Sequence, residues 1–309
     1  MFQVGTSCYL KEYFICIDYK VLNAYNSLLN TRLFFYNNQL SEMPGGGMHM
    51  NLSECIKDFS HNLKNKNVDK ALEALDNVAE ILKVSDKPDI CANHILEFYM
   101  FEYFFKTREY DSHHHPVHQM YLSVAKILME QKKYQQALAV LDKARAWNPL
   151  DMDILWAVTD CQRQSGKLED MYASTLELYQ YIYTRADMAR FYRNLGYYYI
   201  EKYEPETAMI IYSYSNMYSH SKNADSEIHY LETALNKECP EYTIEEIQEK
   251  LKEKNIPEQI SDVTLAILYR AGQLEYESGD KKAAIECLEL LYQVTGDEEV
   301  GKMLDNVER

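Results

Sequence analysis

The chain has 309 residues, of which 47% are apolar and only ten are glycine, and its formal net charge is −16. This composition is typical of long helices joined by short turns. The negative charge argues against nucleic-acid binding, because such surfaces need Lys and Arg to replace the counterions of the phosphates. The sequence therefore predicts a helical protein without a nucleic-acid partner.

The cysteines and the apolar runs bear on location. The seven cysteines are scattered and contain no CxxC pair, so they indicate neither a disulfide framework nor a cysteine zinc site. No apolar run approaches the roughly 18 to 20 residues of a membrane span, and no signal peptide is recognisable. We expect reduced thiols, no membrane and a cytoplasmic protein. With no phosphate loop, GxSxG or HExxH motif, we expect neither an enzyme nor a cofactor.

Residues 1–47 differ from the rest. They are rich in Phe, Tyr, Asn and Leu, poor in charge, and end in three glycines directly before Met48 and Met50. One codon spelling of Gly-Gly, GGAGGT, is a ribosome-binding sequence, so one hypothesis is that residues 1–47 are translated leader DNA from an AT-rich bacterial genome. The alternative is a genuine N-terminal extension, helical around residues 19–35 and joined by a glycine linker.

The clearest repeat covers residues 118–150. Apolar residues recur at helical spacing in two runs: Tyr121, Val124, Ala125 and Leu128, then Tyr134, Ala137, Leu141 and Ala144. Trp147-Asn148-Pro149 ends the second run, because proline cannot continue a helix. The pattern predicts a pair of antiparallel helices.

This pair resembles the tetratricopeptide repeat (TPR), in which small residues fill the contact between the two helices. With Pro149 at the closing proline of the family, Ala125, Ala137 and Ala144 fall on its three small positions. Closely crossing helices accept only Gly or Ala at the contact, and larger residues fill the grooves on either side.

Further units follow the first one. A unit from Met152 has a turn glycine but a poorly matching second helix. The unit from Ala189 repeats the twelve-residue spacing of Ala125 and Ala137 in Gly196 and Ala208, and the unit at residues 268–294 repeats it in Gly272 and Ala284.

The resemblance implies an all-α fold of TPR-like helical hairpins stacked in a right-handed α-solenoid, and the leader hypothesis implies a bacterial source. We predict four parts: the atypical segment 1–47, degenerate helical pairs at 48–117 that cap the array, clear repeats at 118–222, and a helical pair plus a last repeat at 223–309. Degenerate outer units are expected, because terminal repeats cover the exposed core.

The resemblance also implies a concave groove lined by the first helix of each pair. The positions that face it by register are Leu122, Lys126 and Met129, then Trp156, Asp160 and Arg163, then Arg190, Arg193, Asn194 and Tyr197. Aromatic and arginine side chains carry much of the energy of interfaces, and arginines bind carboxylates through paired hydrogen bonds. The alternative is that these arginines neutralise the chain's own carboxylates and that Trp156 packs between units.

Two clusters remain. The tyrosines between residues 179 and 218 are predicted to serve mainly in packing, with some reaching the surface. His113, His114, His115 and His118 are the only dense set of metal-ligand residues in the sequence, and a solvated loop competes with a metal site.

The functional prediction is a protein- or peptide-binding scaffold that uses the groove. A peptide-sensing regulatory receptor and a metal-binding protein using the histidines are the alternatives. Self-association of the array is a further one.

Overall fold

The structure, a computed structural model, describes residues 51–308. Helices α1 (Leu52–Lys64) and α2 (Val68–Leu82) form the first hairpin. Then come strand β1 (Asp89–Ile90), helix α3 (Ile95–Phe105) and strand β2 (Asp111–Ser112), and the two strands pair in parallel. The part predicted as degenerate helical pairs therefore contains one hairpin and a single helix, α3, and the strand pair beside α3 has no sequence signal.

Three hairpins follow. They are α4 (Val117–Glu130) with α5 (Tyr134–Trp147), α6 (Met152–Gln164) with α7 (Leu168–Leu178), and α8 (Arg185–Glu201) with α9 (Pro205–Tyr218), with a 3-10 turn at Tyr179–Tyr181 between the last two. The predicted hairpins are confirmed. Helix α8 begins four residues before Ala189, because the Thr184 side chain accepts a hydrogen bond from the Asp187 amide and caps the helix there.

The last helices are α10 (Lys222–Leu235), α11 (Ile244–Glu253), α12 (Asp262–Ser278), α13 (Lys281–Thr295) and α14 (Glu298–Glu308). Thr243 and Glu246 form a capping box at the start of α11. Helix α14 extends the array beyond the predicted last repeat.

The small residues lie where the repeat pattern places them. Ala125, Ala137 and Ala144 are fully buried in the α4–α5 pair. A Cβ atom on Gly196 would lie 2.7 Å from the Tyr212 ring, and one on Gly272 would lie 2.8 Å from Leu288. Each glycine therefore sets the distance between its two paired helices.

Successive helices stack into an array. Helix α4 packs on α2, α6 on α5, α8 on α7 and α10 on α9. The apolar residues form two cores, one from α1, α2, α4, α5 and one face of α6, the other from α3, the opposite face of α6 and the helices after it. We call them the N-terminal core and the C-terminal core. The fold is an all-α, TPR-like solenoid.

Helix α3 and the C-terminal hairpin depart from simple stacking. Helix α3 is apolar on nearly all sides and belongs to the C-terminal core, although it precedes the first clear repeat. Helix α12 packs against α3 and the 3-10 turn, where the Thr264 hydroxyl donates to the Gln180 carbonyl at 2.7 Å. The last hairpin is thus attached to an early part of the chain.

The segment between α11 and α12, residues 254–261, is held by tyrosines. Four hydroxyls donate to three consecutive backbone carbonyls: Tyr192 to Pro257 (2.8 Å), Tyr214 and Tyr218 to Glu258 (2.7 and 3.2 Å), and Tyr179 to Gln259 (2.8 Å). We call residues 254–261 the strap. The tyrosines predicted to pack do so, and their hydroxyl groups fix this segment.

The sequence predictions for residues 1–47 lie outside the described residues. The boundaries at residues 117 and 222 stay predictions. Among residues 51–308, no helix combines the length and the apolar character that crossing a membrane requires.

Candidate functional site

The structure brings four of the predicted groove residues together on the first helices of two neighbouring hairpins. On α6, Asp160 accepts hydrogen bonds from Arg190 Nη2 of α8 at 2.7 Å and from Arg163 Nη2 at 3.3 Å. The Arg163 guanidinium lies over the Tyr197 ring, 5.5 Å from its centroid. With Arg193, these residues form what we call the arginine surface.

Arg193 differs from its neighbours because its cation faces no carboxylate. Its Nη1 donates to the backbone carbonyl of Ser219 at 3.3 Å, and within residues 51–308 no Asp or Glu oxygen lies within ion-pair distance of it. Burial, and then the charge of Arg190, lower the pKa of Arg193. The arginine surface therefore carries three guanidinium groups against the single carboxylate of Asp160.

Tyr212 and Tyr197 lie beside these arginines. Burial, followed by the charge of Glu227, raises the pKa of Tyr212, and the nearby Arg163 and Arg193 act in the opposite direction. The pKa of Tyr197 is also raised, by burial and then by Glu201. Glu201 and Glu227 are therefore near the Tyr197 end of the surface, where the Arg163 guanidinium also lies.

Three other predicted groove residues are buried. Trp156 is 1% exposed; its indole N–H donates to Asp187 at 2.7 Å and its ring lies under the Arg190 guanidinium. Asn194 is 6% exposed and donates to Thr159 and Thr175, and Leu122 is 1% exposed. In this conformation a partner cannot touch Trp156 or Asn194, so they support the arginine surface from below.

Lys126 and Met129 lie on α4, away from the arginines. Lys126 is exposed, while Met129 is partly buried and packs against the N-terminal core. Both stay predictions as binding residues, since they lie on a different helix from the residues of the arginine surface.

The histidine run does not converge. His113 Nε2 lies 2.7 Å from Asp89 Oδ1, His114 and His115 are exposed, and His118 is buried beside Asn93 and Asp151. Within residues 51–308 no three His, Cys, Asp or Glu residues are placed to hold a metal ion. Pro116 and the start of α4 turn His118 inward, away from the other three.

The sequence pattern does not single out Asp187 or Ser219. Asp187 holds Trp156 in the core, and the Ser219 carbonyl, just after α9, receives Arg193. An Asp three residues after Thr184 is an ordinary first-turn pattern, so nothing in the sequence distinguishes it. Carbonyl groups leave no sequence signal at all.

These features define the class: an all-α, TPR-like solenoid with a cationic surface on the first helices of its middle hairpins. No protein-family model and no curated protein sequence matches the chain. Among solved structures, it is similar to PilF of Pseudomonas aeruginosa, with a TM-score of 0.40, 14% identity, and coverage of 82% of this chain and 97% of that one.

Two further structures are similar. YrrB, described as a TPR protein with an unusual peptide-binding site, gives a TM-score of 0.32 at 11% identity over 68% of this chain and 97% of that one. The Cut9–Hcn1 hetero-tetramer of the APC/C gives 0.36 at 12% identity, over 82% of this chain and 48% of that one. Likenesses of this size assign no function to the chain.

Proposed function

We propose that the protein is a protein- or peptide-binding scaffold whose ligand places carboxylates on the arginine surface. The observation that carries the proposal is Arg193, a partly buried guanidinium beside Arg190 with no carboxylate of its own within residues 51–308. Two adjacent cations repel each other, and a ligand carboxylate would relieve that repulsion while accepting charge-assisted hydrogen bonds.

Electrostatic contrast supports the same ligand chemistry. The whole chain has a net charge of −16, so most of its surface repels an acidic segment. A cationic surface within an acidic chain restricts where such a segment can bind, and opposite charges speed its encounter. The preferred ligand is therefore an acidic peptide or an acidic stretch of a protein.

The proposal includes a cytoplasmic location. The five cysteines among residues 51–308 are all free thiols, and four of them are buried. Free thiols of this kind are the usual state in a reducing compartment. The location is tested by fractionation of the native host.

The test is selection of peptides from a random display library on the full chain, followed by titration of the selected peptides. We expect the selected sequences to be rich in Asp and Glu and to bind with Kd near 1 μM, about −8 kcal/mol. Arg193→Ala should weaken them about tenfold, and added salt should weaken them further.

Arg145→Ala is the matched control. Arg145 lies on α5, a second helix, and pairs with Glu177, so this variant makes the same charge change away from the arginine surface. Equal losses for Arg193→Ala and Arg145→Ala would contradict the proposed site, as would selected peptides without acidic residues.

A further inference from the structure

A cleft of about 280 Å³ lies between the third clear hairpin and the C-terminal hairpin. One wall is the start of α8 with the end of α9, and the other is the last part of α13, with Leu290, Gln293 and Val294. Helix α12 packs against α3 and the 3-10 turn, and its partner α13 forms the wall of the cleft that faces α8.

The cleft lies at the N-terminal end of the stripe of α8 that carries the arginine surface. Ala186, which lines the cleft, precedes Arg190, Arg193 and Tyr197 at spacings of four, seven and eleven residues, so all four lie along one stripe of α8. Ser219 also lines the cleft, and its carbonyl accepts the hydrogen bond from Arg193. The cleft and the arginine surface are therefore parts of one continuous surface.

The walls suit a large apolar side chain. Leu290 and Val294 contribute aliphatic groups and Tyr218 an aromatic ring. Arg185 keeps that ring in place: its guanidinium lies 5.3 Å from the ring centroid and donates to the carbonyls of Met217 and Tyr218. The cleft has room for one bulky side chain, and its volume lies just below the roughly 300 to 1,000 Å³ of pockets that hold whole small-molecule ligands.

The spacing sets the register of a ligand. From Ala186 to Arg193 the helix rises about 10 Å at 1.5 Å per residue. An extended peptide covers that distance in about three residues at roughly 3.3 Å each.

We infer that the cleft is an anchor pocket for the peptide bound at the arginine surface: it takes an aromatic or long aliphatic side chain that lies about three residues from the ligand's carboxylates. The inference rests on the proposed function, since it assumes that carboxylates bind at Arg193. It adds a second determinant of specificity, to which the C-terminal hairpin contributes one wall.

The test uses fluorescein-labelled peptides of glycine and serine that carry one phenylalanine and, three residues away, two adjacent aspartates. Two parent peptides place the phenylalanine before or after the aspartates, so that both directions of the bound peptide along α8 are tested. Matching peptides replace phenylalanine by serine, or both aspartates by asparagine. Binding to the full chain is measured by fluorescence anisotropy.

Two variants block the cleft from opposite walls. Ala186 and Gln293 are exposed, so Ala186→Trp and Gln293→Trp fill the cleft without disturbing buried residues. Ala234→Trp, at an exposed position on α10, is the control for an added indole. Circular dichroism of each variant checks that the helices are intact.

We expect one parent peptide to bind about tenfold more tightly than its serine version. Either blocking variant should remove that difference, whereas Ala234→Trp should preserve it. An acidic peptide that needs Arg193 but binds equally with phenylalanine or serine would overturn the anchor pocket alone. Failure of every acidic peptide to bind would overturn the proposed function together with it.

Discussion

At the scale of single residues, Gly196 shows how one missing methyl group sets the distance between two helices. Alanine favours a helix interior over glycine by about 1 kcal/mol, so propensity alone would make Gly196→Ala stabilising. The added Cβ, however, would lie 2.7 Å from the ring of Tyr212, which is only 4% exposed and cannot move away freely. Overpacking of this kind costs about 1–3 kcal/mol, so the clash outweighs the propensity.

We therefore predict that Gly196→Ala lowers the free energy of unfolding by about 1 kcal/mol in urea denaturation. The same change in a Tyr212→Leu background removes the ring that the methyl group would strike, and should be neutral or stabilising there. If Gly196→Ala costs the same in both backgrounds, the contact with Tyr212 is not the cause.

Asp151 belongs to a buried polar network between α3 and the first clear repeat. It is 2% exposed and accepts from Asn93 Nδ2 at 2.8 Å, with His118 Nε2 at 3.3 Å. Glu97 and Asn148, both buried, share a 2.7 Å hydrogen bond in the same network. Burial raises the pKa of Asp151, but hydrogen bonds from His118, Asn93 and the Ile154 amide outweigh it, and the net shift is downward.

The lowered pKa of Asp151 predicts a pH effect. A carboxyl group whose pKa is lower in the folded chain than in the unfolded chain stabilises the fold. Its contribution is complete at pH values above the unfolded pKa, near 3.8 here, and is lost as the pH falls through the folded pKa. Asp151→Asn places an amide against hydrogen-bond donors and should cost about 1–3 kcal/mol at neutral pH. In urea titrations at several pH values, the difference in the free energy of unfolding between wild type and variant should shrink as the pH falls below 3.8.

Asp153→Asn is the control for Asp151→Asn, because Asp153 lies in the same first turn of α6 but is exposed. Asp153→Asn should change the free energy of unfolding by no more than about 0.5 kcal/mol. A constant difference between the Asp151 variant and wild type at all pH values would contradict the explanation.

At the scale of elements, the strap shows why the region around α8 and α9 is rich in tyrosine. A segment outside helices and strands has few partners for its carbonyls within itself, and buried carbonyls without partners are costly. The hydroxyls of Tyr179, Tyr192, Tyr214 and Tyr218 provide donors while their rings pack against one another. Phenylalanine would fill the same space without binding the strap.

For the strap we predict that Tyr192→Phe lowers stability by about 1 kcal/mol, the usual net value of one hydrogen bond. The loss should be local, so hydrogen exchange should accelerate at residues 256–264 more than in α4 or α5. Tyr203→Phe is the control, because Tyr203 is 93% exposed and bonds no part of the strap. Uniform acceleration along the chain would contradict a local role for the Tyr192 hydroxyl.

At the scale of the whole molecule, α6 joins the two cores. Leu155 and Trp156 belong to the C-terminal core, while Ile154 and Cys161, on the opposite face, belong to the N-terminal core. Repeat arrays can lose cooperativity along their length, because each unit contacts only its neighbours. Here the contact of α12 with α3 adds a link between distant parts of the chain.

The two tryptophans report separately on the two cores, since Trp147 lies in the N-terminal core and Trp156 in the C-terminal core. We predict that in each single-tryptophan variant, Trp147→Phe and Trp156→Phe, the fluorescence midpoint in urea coincides with the far-UV circular dichroism midpoint of the same variant. Fluorescence and circular dichroism that diverge in either variant would mean that the two cores unfold independently.

Much of the site could be placed from sequence, but not the environment of each residue. The register of the repeats placed Asp160, Arg163, Arg190 and Tyr197 on neighbouring first helices, and the structure brings them together. The same register could not distinguish an exposed Trp156 from a buried one. That difference depends on Asp187, a partner for the indole N–H from the next hairpin.

The sequence by itself determined the helices and their pairing, because helical periodicity, capping residues and small contact residues act over a few positions. The composition of helix α3, strongly apolar on nearly all sides, indicates burial but not which core the helix joins. Only the tertiary structure decided that α12 of the C-terminal hairpin packs against α3 and that four tyrosine hydroxyls bind the strap. It also decided that Arg193 donates to a backbone carbonyl and not to a carboxylate. These contacts join residues far apart in the chain, and backbone carbonyls take part in them without any sequence signal.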